Sequence, residues 1–308
     1  MTLAEAYRKG THILRTADID APAADAGVML CHVAKCDRAY LYAHGDLELE
    51  DGLLREYILL LKRRALGHPL QYLTGLTQFM SLSFEVEPGV LIPRQDTELL
   101  VETVIDFCKA KSPDRGLRIL DIGTGSGCIA VSLAYYVPGS TVVAIDKMSA
   151  ALQIAQRNAC LNGVDSRIVF VQSDLFESFQ AEQMPSFDVI VSNPPYVCSS
   201  DIKGLQQEVR DHEPIEALDG GSDGLFFYRE IIRTAPGYLA DGGILAFETG
   251  YNQADAVVAL MSGETQVSDN KSAEDSPAEK ARLSCFDSIR IQKDLAGIDR
   301  VVTGVHRR

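Results

Sequence analysis

Several features that mark common protein classes are missing from this sequence of 308 residues. It has no tryptophan, and its seven cysteines form no C-x-x-C pair, so neither a zinc site nor a redox dithiol is expected. An odd number of scattered cysteines is typical of thiols that are kept reduced in the cytosol. We therefore expect a cytoplasmic protein without a bound metal.

The chain also has few basic residues and no long apolar run. Its 29 Lys and Arg are outnumbered by 43 Asp and Glu, which gives a formal net charge of −14 and a pI near 4.9. Because phosphates are neutralised by positive charge, direct binding to nucleic acid is disfavoured. No apolar stretch approaches the roughly 20 residues of a membrane span, and the segment M-T-L-A-E-A-Y-R-K-G lacks the apolar core of a signal peptide. We expect no membrane partner.

The periodicity of the apolar residues changes twice in the first third of the chain. In residues 1–75 they recur on helix-like faces, which predicts a bundle of four or five helices. In residues 76–93 the run T-Q-F-M-S-L-S-F-E-V-E-P-G-V-L-I-P alternates apolar and polar residues. That pattern predicts a β-hairpin linker, which we expect to turn at Pro88-Gly89.

Strands and helices alternate in the remaining segment, residues 94–308. The alternation predicts an α/β fold with a doubly wound, Rossmann-like sheet and helices on both faces. Residues 262–284 are rich in Ser, Asp, Glu and Lys and are interpreted as a flexible insertion. Strands are predicted at 118–122, 141–146, 167–171, 187–191 and 243–248, helices at 125–137, 149–162, 225–239 and 252–261, and a closing antiparallel hairpin at 286–291 and 300–305.

A glycine-rich turn, D-I-G-T-G-S-G (121–127), joins the first of these strands to a helix. Its glycines permit a tight turn and let a ligand approach the backbone, and the helix N-terminus favours a negative group. Asp146 ends the next strand, where its carboxylate can accept both ribose hydroxyls, and Asp174 after the third strand can accept from an adenine amine. The pattern predicts an adenosine-type ligand bound by Gly123, Thr124, Gly125, Ser126, Gly127, Asp146 and Asp174.

Two common cofactors contain such an adenosine. The spacing G-x-G-x-G differs from the G-x-G-x-x-G that is typical of NAD binding. S-adenosylmethionine fits better, because it has no pyrophosphate and its carboxylate can face the helix N-terminus. NAD stays as the alternative.

A second unusual turn, S-N-P-P-Y-V (192–197), follows a predicted core strand. Ligands of a parallel sheet bind beyond the carboxyl ends of its strands. Pro194 and Pro195 fix the backbone and remove two N–H donors, so the local carbonyls can face a ligand as acceptors. With the side-chain oxygen of Asn193, they can take both hydrogens of a planar NH2 group, which Tyr196 can flank. We interpret Asn193, Pro194 and Tyr196 as catalytic, and these three with Pro195 as substrate-binding.

Such a pair of fixed acceptors suits methylation of an amide or aromatic amine. The lone pair of these nitrogens is delocalised, so they are poor nucleophiles. Acceptors at fixed positions hold the nitrogen in line with the sulfonium and favour the cationic transition state. No strong base is needed, because the proton can leave after the transfer.

These motifs, with others in the same order along nearly the whole chain, resemble the peptide chain release factor glutamine N5-methyltransferases, the HemK-type enzymes. N-P-P-Y alone would be shared with DNA adenine methyltransferases. Further matching segments are H-P-L-Q-Y-L-T-G (68–75), V-L-I-P-R-Q-D-T-E (90–98), S-D-L-F (173–176), E-P-I-E-A-L-D-G-G-S-D-G-L (213–225), F-E-T-G-Y-N-Q (247–253) and D-L-A-G-I-D-R-V-V (294–302).

The resemblance implies methyl transfer from S-adenosylmethionine to the glutamine of the Gly-Gly-Gln motif in class-1 release factors. It implies that 1–75 docks on the release factor and that 94–308 is the methyltransferase domain. We expect a monomer that meets its partner transiently. Cofactor binding is implied for the glycine turn, Asp146, the pair Asp174-Leu175 and Asn193.

Two rival activities and one departure stand beside this interpretation. A related enzyme methylates a glutamine of a ribosomal protein, and an adenine N6-methyltransferase of nucleic acid would need a basic surface that the composition does not supply. Gln95 stands where the family has proline, in I-P-R-Q-D-T-E. The segment Glu248-Thr249-Gly250 ends a predicted strand on the ligand side and is a candidate lining of the pocket.

Overall fold

The computed structural model describes residues 1–111, 116–179, 186–264 and 285–307. Most of the predicted flexible insertion, residues 265–284, lies outside these described residues. The helices are α1 (Leu3–Thr16), α2 (Pro22–Ala34), α3 (Arg38–Ala43), α4 (Asp51–Ala65), α5 (Leu70–Thr74), α6 (Asp96–Lys111), α7 (Cys128–Tyr136), α8 (Ser149–Leu161), α9 (Gln207–His212), α10 (Phe226–Thr234) and α11 (Ala254–Ser262).

The strands form two sheets, a hairpin of β1 and β2 and a sheet that contains the other seven. They are β1 (Leu76–Phe79), β2 (Leu82–Glu85), β3 (Arg118–Ile122), β4 (Thr141–Asp146), β5 (Ile168–Gln172), β6 (Phe187–Ser192), β7 (Leu239–Glu248), β8 (Phe286–Lys293) and β9 (Asp299–His306).

The chain divides into two compact units, of which the smaller is helical. It consists of Met1–Leu76, Val86–Pro88 and Leu205–Glu213. Its first helix is capped by Thr2, whose hydroxyl accepts from the Glu5 backbone N–H at 3.2 Å while the Glu5 carboxylate accepts from the Thr2 N–H at 2.9 Å. This reciprocal cap satisfies two backbone donors at the start of α1.

A buried arginine ties α9 to the helices of the smaller unit. The guanidinium of Arg64 on α4 lies 2.7 Å from the Asp25 carboxylate of α2 and 2.6 Å from the Glu208 carboxylate of α9. Only 8% of the Arg64 side chain is exposed. An isolated buried charge would be very costly, so the two carboxylates explain why a distant segment of the chain belongs to this unit.

The β1–β2 hairpin turns at Met80-Ser81 and not, as predicted, at Pro88-Gly89, where the chain makes a separate turn after β2. Both turn residues have positive φ, +49° and +59°, which is typical of a two-residue hairpin loop. The turn is held from outside, since the Met80 N–H donates to the Glu98 carboxylate at 2.6 Å and the Tyr136 hydroxyl donates to the Met80 carbonyl at 2.6 Å. These contacts stabilise a turn that contains no glycine, whereas the predicted turn relied on Gly89.

The larger unit contains the seven-stranded sheet, in the order β5-β4-β3-β6-β7-β9-β8. Neighbours from β5 to β7 are parallel, whereas β9 is antiparallel to both β7 and β8. The predicted α/β fold with its closing antiparallel hairpin is confirmed. Since β4 and β5 lie on one side of β3 and β6 on the other, the crevice at the carboxyl ends of β3 and β6 is the expected ligand site.

Successive residues of β3 face two different apolar cores. Ile119 belongs to the core that contains Leu100 of α6, whereas Leu120 belongs to the core that contains Tyr228 of α10. Both strand residues are fully buried. Helices therefore cover both faces, and binding groups can lie only at the strand ends.

Several predicted boundaries were wrong. The helix predicted to begin at Gly125 begins at Cys128, because Gly125 and Gly127 have positive φ and lie outside helical geometry. The helix predicted to run to Leu239 ends at Thr234, where Pro236 follows in a short 3-10 turn, and β7 already starts at Leu239. The sequence analysis missed α6 altogether. None of the described helices is long and apolar enough to cross a membrane.

Candidate active site

The glycine turn lies between β3 and α7, and hydrogen bonds of its backbone N–H groups hold it against β4. The N–H groups of Gly123 and Thr124 both donate to the Ile145 carbonyl at 2.9 Å. A Cβ built on Gly123 or Gly125 would meet no described atom within 4 Å. The turn therefore presents open space above the backbone, where a ligand can approach.

Asp121 lies beneath this turn and is fully buried. Its Oδ2 accepts from the Thr124 hydroxyl at 2.6 Å and from the Ala130 N–H at 3.1 Å, whereas Oδ1 has no partner among the described residues. Burial raises the pKa of this carboxyl to about 7. The sequence analysis did not select Asp121, although it is the first residue of D-I-G-T-G-S-G.

The two predicted adenosine-binding carboxylates follow adjacent strands. Asp146 ends β4 and accepts from the N–H groups of Gly125 at 2.9 Å and Met148 at 2.8 Å; burial raises its pKa. Asp174 follows β5 and pairs with the exposed Lys147 ammonium at 2.6 Å. Each Asp146 oxygen keeps a second lone pair for a ligand hydroxyl.

The carboxyl end of β6 places the second turn beside the first. Ile122 of β3 is in register with Ile145 of β4 and with Ser192 of β6. The Ser192 hydroxyl donates to the Ile122 carbonyl at 2.8 Å, which fixes the two strand ends together. Asn193 follows at once, so it lies at the strand end beside the one that leads into the glycine turn.

The amide of Asn193 has a defined orientation. Its Nδ2 donates to the hydroxyl of Thr97, the second residue of α6, at 3.2 Å. Because the NH2 end is used in this way, the Oδ1 end is the one left to accept from a substrate. The sequence analysis matched Thr97 to the family but assigned it no role.

The backbone after Asn193 is held by side chains and by close packing. The Gln253 side chain donates to the Tyr196 carbonyl at 2.9 Å and accepts from the Gly250 N–H at 3.1 Å. A Cβ on Gly224 would lie 2.4 Å from the Tyr196 carbonyl oxygen. This contact explains Gly224, the last glycine in D-G-G-S-D-G, since only a residue without a side chain lets this segment pass.

Glu248, the last residue of β7, is a buried carboxylate behind the turn, with 1% of its surface exposed. Its Oε1 lies 3.5 Å from the Tyr196 hydroxyl, and Oε2 has no partner of normal geometry among the described residues. Burial, together with the charge of Asp96, raises the pKa of Glu248 to about 7, which the charge of Arg300 partly counteracts. A residue that was only a candidate lining of the pocket is therefore a buried acid beside the Tyr196 hydroxyl.

The residues at the glycine turn fit S-adenosylmethionine. The open space above Gly123 and Gly125 leaves room for a ligand against the backbone. The orphaned Asp121 oxygen can accept from an ammonium group, and Asp146 can accept from ribose hydroxyls. Among the described residues no cluster of His, Cys, Asp and Glu could hold a metal ion.

Fold and site together define an S-adenosylmethionine-dependent methyltransferase of the Rossmann-like class. Residues 5–75 match the family model described as PrmC N-terminal domain, and residues 95–209 match the one described as methyltransferase small domain.

Relatives that match this chain over most of their length identify the particular family. The release factor glutamine methyltransferase of Thermodesulfovibrio yellowstonii is 39% identical over 280 residues, which cover 90% of this chain and 90% of that protein. That of Geobacter sulfurreducens is 42% identical over 268 residues, 87% and 84% of the two chains. That of Clostridium acetobutylicum is 33% identical over 305 residues, 99% of each. The chain belongs to the release factor glutamine methyltransferase family, and the resemblance seen in the sequence is confirmed.

Proposed function

We propose that this protein transfers the methyl group of S-adenosylmethionine to the side-chain amide nitrogen, N5, of a glutamine in a release factor. The observation that carries the proposal is the orientation of Asn193, whose NH2 group is bound by Thr97 at 3.2 Å. The remaining oxygen can accept one hydrogen of the substrate amide. The target within the release factor is the glutamine of Gly-Gly-Gln in a class-1 factor.

The side chains of the second turn would hold and orient the target nitrogen. The Asn193 oxygen and the Pro194 carbonyl accept its two hydrogens, and the Tyr196 ring flanks its plane, with Pro195 fixing the backbone between them. When bound, S-adenosylmethionine supplies an electrophilic methyl group on a positively charged sulfur. Fixed acceptors favour the positive charge that develops on nitrogen and cost no reorganisation during the step. The proton leaves to solvent after the transfer.

Cofactor binding is assigned to residues at four strand ends, those of β3, β4, β5 and β6. Asp146 would accept from the ribose hydroxyls, and Asp174 and Leu175 would contact the adenine. Asn193 also borders the cofactor, because β6 is the neighbour of β3. The glycine turn, Gly123, Thr124, Gly125, Ser126 and Gly127, would hold the methionine part.

We also propose that the helical unit, with residues 1–75, docks on the release factor. A formal net charge of −14 favours a protein partner over nucleic acid. We propose a monomer that acts in the cytoplasm. Methylation of a ribosomal protein is the alternative that the experiment below distinguishes.

Mass spectrometry of a purified class-1 release factor, after incubation with this protein and S-adenosylmethionine, tests the proposal. We expect a single methyl group on the Gly-Gly-Gln glutamine. Asn193→Ala should lower the rate by roughly 100-fold or more, as for loss of a fixed hydrogen-bonding group that serves the transition state. Asn162→Ala is the matched control, because that amide binds the Ser83 carbonyl on the hairpin.

Calorimetry with S-adenosylmethionine accompanies each sample. Binding of the cofactor without methylation of the release factor would contradict the substrate and leave the cofactor assignment intact. Methylation of a ribosomal protein glutamine instead would establish the alternative. Equal rates for Asn193→Ala and Asn162→Ala would contradict the role of Asn193.

A further inference from the structure

Three large apolar side chains are exposed on segments that contact the Asn-Pro-Pro-Tyr turn. Tyr251 is 69% exposed, Ile215 53% and Phe226 51%. All three belong to the larger unit, as does the turn itself. Exposing large apolar side chains to water is unfavourable, and a group of them beside a binding site is typical of a surface that binds another molecule. We call Ile215, Phe226 and Tyr251 the apolar group.

The segment that carries Ile215 is paired with the end of the turn. Val197, directly after Tyr196, donates its N–H to the Leu218 carbonyl at 2.9 Å, and the Gly220 N–H donates to the Val197 carbonyl at 2.8 Å. The Leu218 N–H donates in turn to the Ile215 carbonyl at 2.9 Å. A single 3-10 turn therefore links the exposed Ile215 to the residue that pairs with Val197.

Phe226 follows the glycines that lie against the turn. A Cβ on Gly220 would lie 2.7 Å from the Pro195 carbonyl oxygen, and the Phe226 N–H donates to the Gly220 carbonyl at 3.1 Å. A Cβ on Gly221 would lie 3.2 Å from the Phe226 Cβ. Phe226 is also the first residue of α10, so its exposed side chain lies where the chain leaves the substrate turn.

Tyr251 lies between two residues that hold the turn. Gly250 precedes it, and a Cβ there would lie 2.9 Å from Cδ2 of the Tyr196 ring. Gln253 follows two residues later and donates to the Tyr196 carbonyl at 2.9 Å. Asn252 has a φ of +63°, the left-handed geometry of a tight turn. The exposed Tyr251 therefore lies at the bend of the segment that fixes Tyr196.

The target motif itself offers few atoms for recognition. In Gly-Gly-Gln only the glutamine has a side chain, and that side chain is a small amide. A ligand of so few atoms gives a limited binding free energy. The affinity for a protein substrate must therefore come from residues on either side of the motif, and these residues meet the surface that surrounds the substrate turn.

We propose, on the basis of the function assigned above, that the apolar group binds the loop of the release factor that carries the target glutamine. Apolar side chains on either side of Gly-Gly-Gln pack on the apolar group while the glutamine reaches Asn193. The contact surface is continuous with the substrate turn, because the segments of Ile215, Phe226 and Tyr251 are all bonded to it or packed on it.

The charge beside the apolar group selects among possible occupants. Residues 214–226 contain no Lys or Arg and three acids, Glu216, Asp219 and Asp223. Nucleic acid is repelled by such a segment, and so is the same segment of a second copy of this chain. A loop that combines apolar side chains with positive charge complements it.

Steady-state kinetics with a purified class-1 release factor test the docking surface. In Tyr251→Ser and Phe226→Ser, we expect KM for the release factor to rise by about 10-fold, the loss of one aromatic contact in an interface, while kcat changes by less than about twofold. The Kd of the release factor, measured with S-adenosylhomocysteine in place of the cofactor, should rise by the same factor. Tyr135→Ser is the matched control, since Tyr135 is 48% exposed on α7.

The division between KM and kcat separates docking from damage to the turn. Damage to the turn lowers kcat, as in Asn193→Ala, whereas loss of docking raises KM and Kd. Tyr251→Phe keeps the ring and should keep KM close to that of the wild type. A lower kcat with unchanged KM, or equal KM values in Tyr251→Ser and Tyr135→Ser, would overturn the proposal.

The same samples distinguish a failure of docking from a failure of the proposed function. If the wild type methylates the release factor and the variants of the apolar group match the control, the function stands and the docking surface fails. If the wild type neither binds nor methylates the release factor, the proposed function fails and the docking surface fails with it. A wild-type dimer in sedimentation that Tyr251→Ser converts to a monomer would identify a second copy as the occupant and also overturn the proposal.

Discussion

The two turns that form the candidate active site are held in different ways. The glycine turn is held mainly by backbone hydrogen bonds. The N–H groups of Gly123 and Thr124 donate to one carbonyl of the next strand, and the Gly127 N–H donates to the Thr124 carbonyl at 2.8 Å. The Asn-Pro-Pro-Tyr turn has two residues without an N–H. It is held by side chains from elsewhere in the chain, chiefly Thr97 and Gln253.

The distances along the chain differ accordingly. Thr124 binds Asp121, three residues away, and Gly125 binds Asp146, 21 residues away. Asn193, in contrast, binds Thr97 across 96 residues. A locally held turn depends on the conformation of its own residues, whereas the other turn depends on the chemistry of single distant side chains. Substitutions should therefore affect stability at the first turn and activity at the second.

The largest effect is expected at Gly127 in the first turn. A Cβ there would lie 2.9 Å from the Ala155 Cβ, at a φ of +81°. Gly127→Ala should lower the free energy of unfolding by roughly 2–5 kcal/mol, through left-handed strain plus overpacking. Gly123→Ala, at a φ of +73° with no described atom within 4 Å, should cost only roughly 1–2 kcal/mol. Urea denaturation measures both, and equal losses would contradict the packing term.

A smaller effect is expected from Glu248, in its dependence on pH. The pKa of this acid is raised to about 7 in the folded protein, so ionisation costs stability that is retained below the unfolded pKa and lost as pH rises toward 7. Glu248→Gln removes that cost. The variant should gain stability relative to wild type between pH 5 and pH 8, on the order of 2–3 kcal/mol.

Denaturant unfolding at several pH values measures this gain. The sign matters, because the gain in stability of the variant should be larger at pH 8 than at pH 5. A difference between variant and wild type that stays constant with pH would show that the charge of Glu248 carries no such cost.

The smallest effect is expected at Gln253, and it should be confined to activity. Gln253→Glu keeps the acceptor for Gly250 but replaces the donor to the Tyr196 carbonyl by a negative oxygen. Loss of one hydrogen bond of about 1–1.5 kcal/mol should lower kcat by roughly 10-fold without changing the affinity for S-adenosylmethionine. Gln153→Glu, on the exposed face of α8, controls for the added charge. A weakened cofactor affinity in Gln253→Glu alone would contradict the separation of the two turns.

The same contrast explains what the sequence could and could not predict. The alternation of strands and helices was enough to predict the sheet, because burial on both faces leaves long apolar runs at β3, β4 and β6. The glycine turn could be read directly, since glycine has a local conformational meaning. The position of Asp146 at the end of β4 could also be predicted, because it directly follows the apolar run of that strand.

The groups that were missed all act across long stretches of chain. Thr97 and Gln253 reach the second turn only after the sheet has formed, and no local pattern distinguishes them from ordinary polar residues at element ends; Glu248 was predicted only as a candidate lining of the pocket. The hairpin turn was misplaced for a related reason: Glu98 and Tyr136 hold Met80-Ser81 from outside. The spacing of the apolar residues could have indicated that turn. Phe79 and Leu82 are both buried and lie three residues apart, which interrupts the two-residue alternation of the strands.

The buried Arg64 has a consequence for the order in which the chain is made. During synthesis the helices of residues 1–76 leave the ribosome first, and domains generally fold as they emerge. Asp25 is then present to balance the Arg64 charge, but Glu208 follows 144 residues after Arg64. Arg64 therefore has both of its carboxylate partners only once more than half of the larger unit has been synthesised.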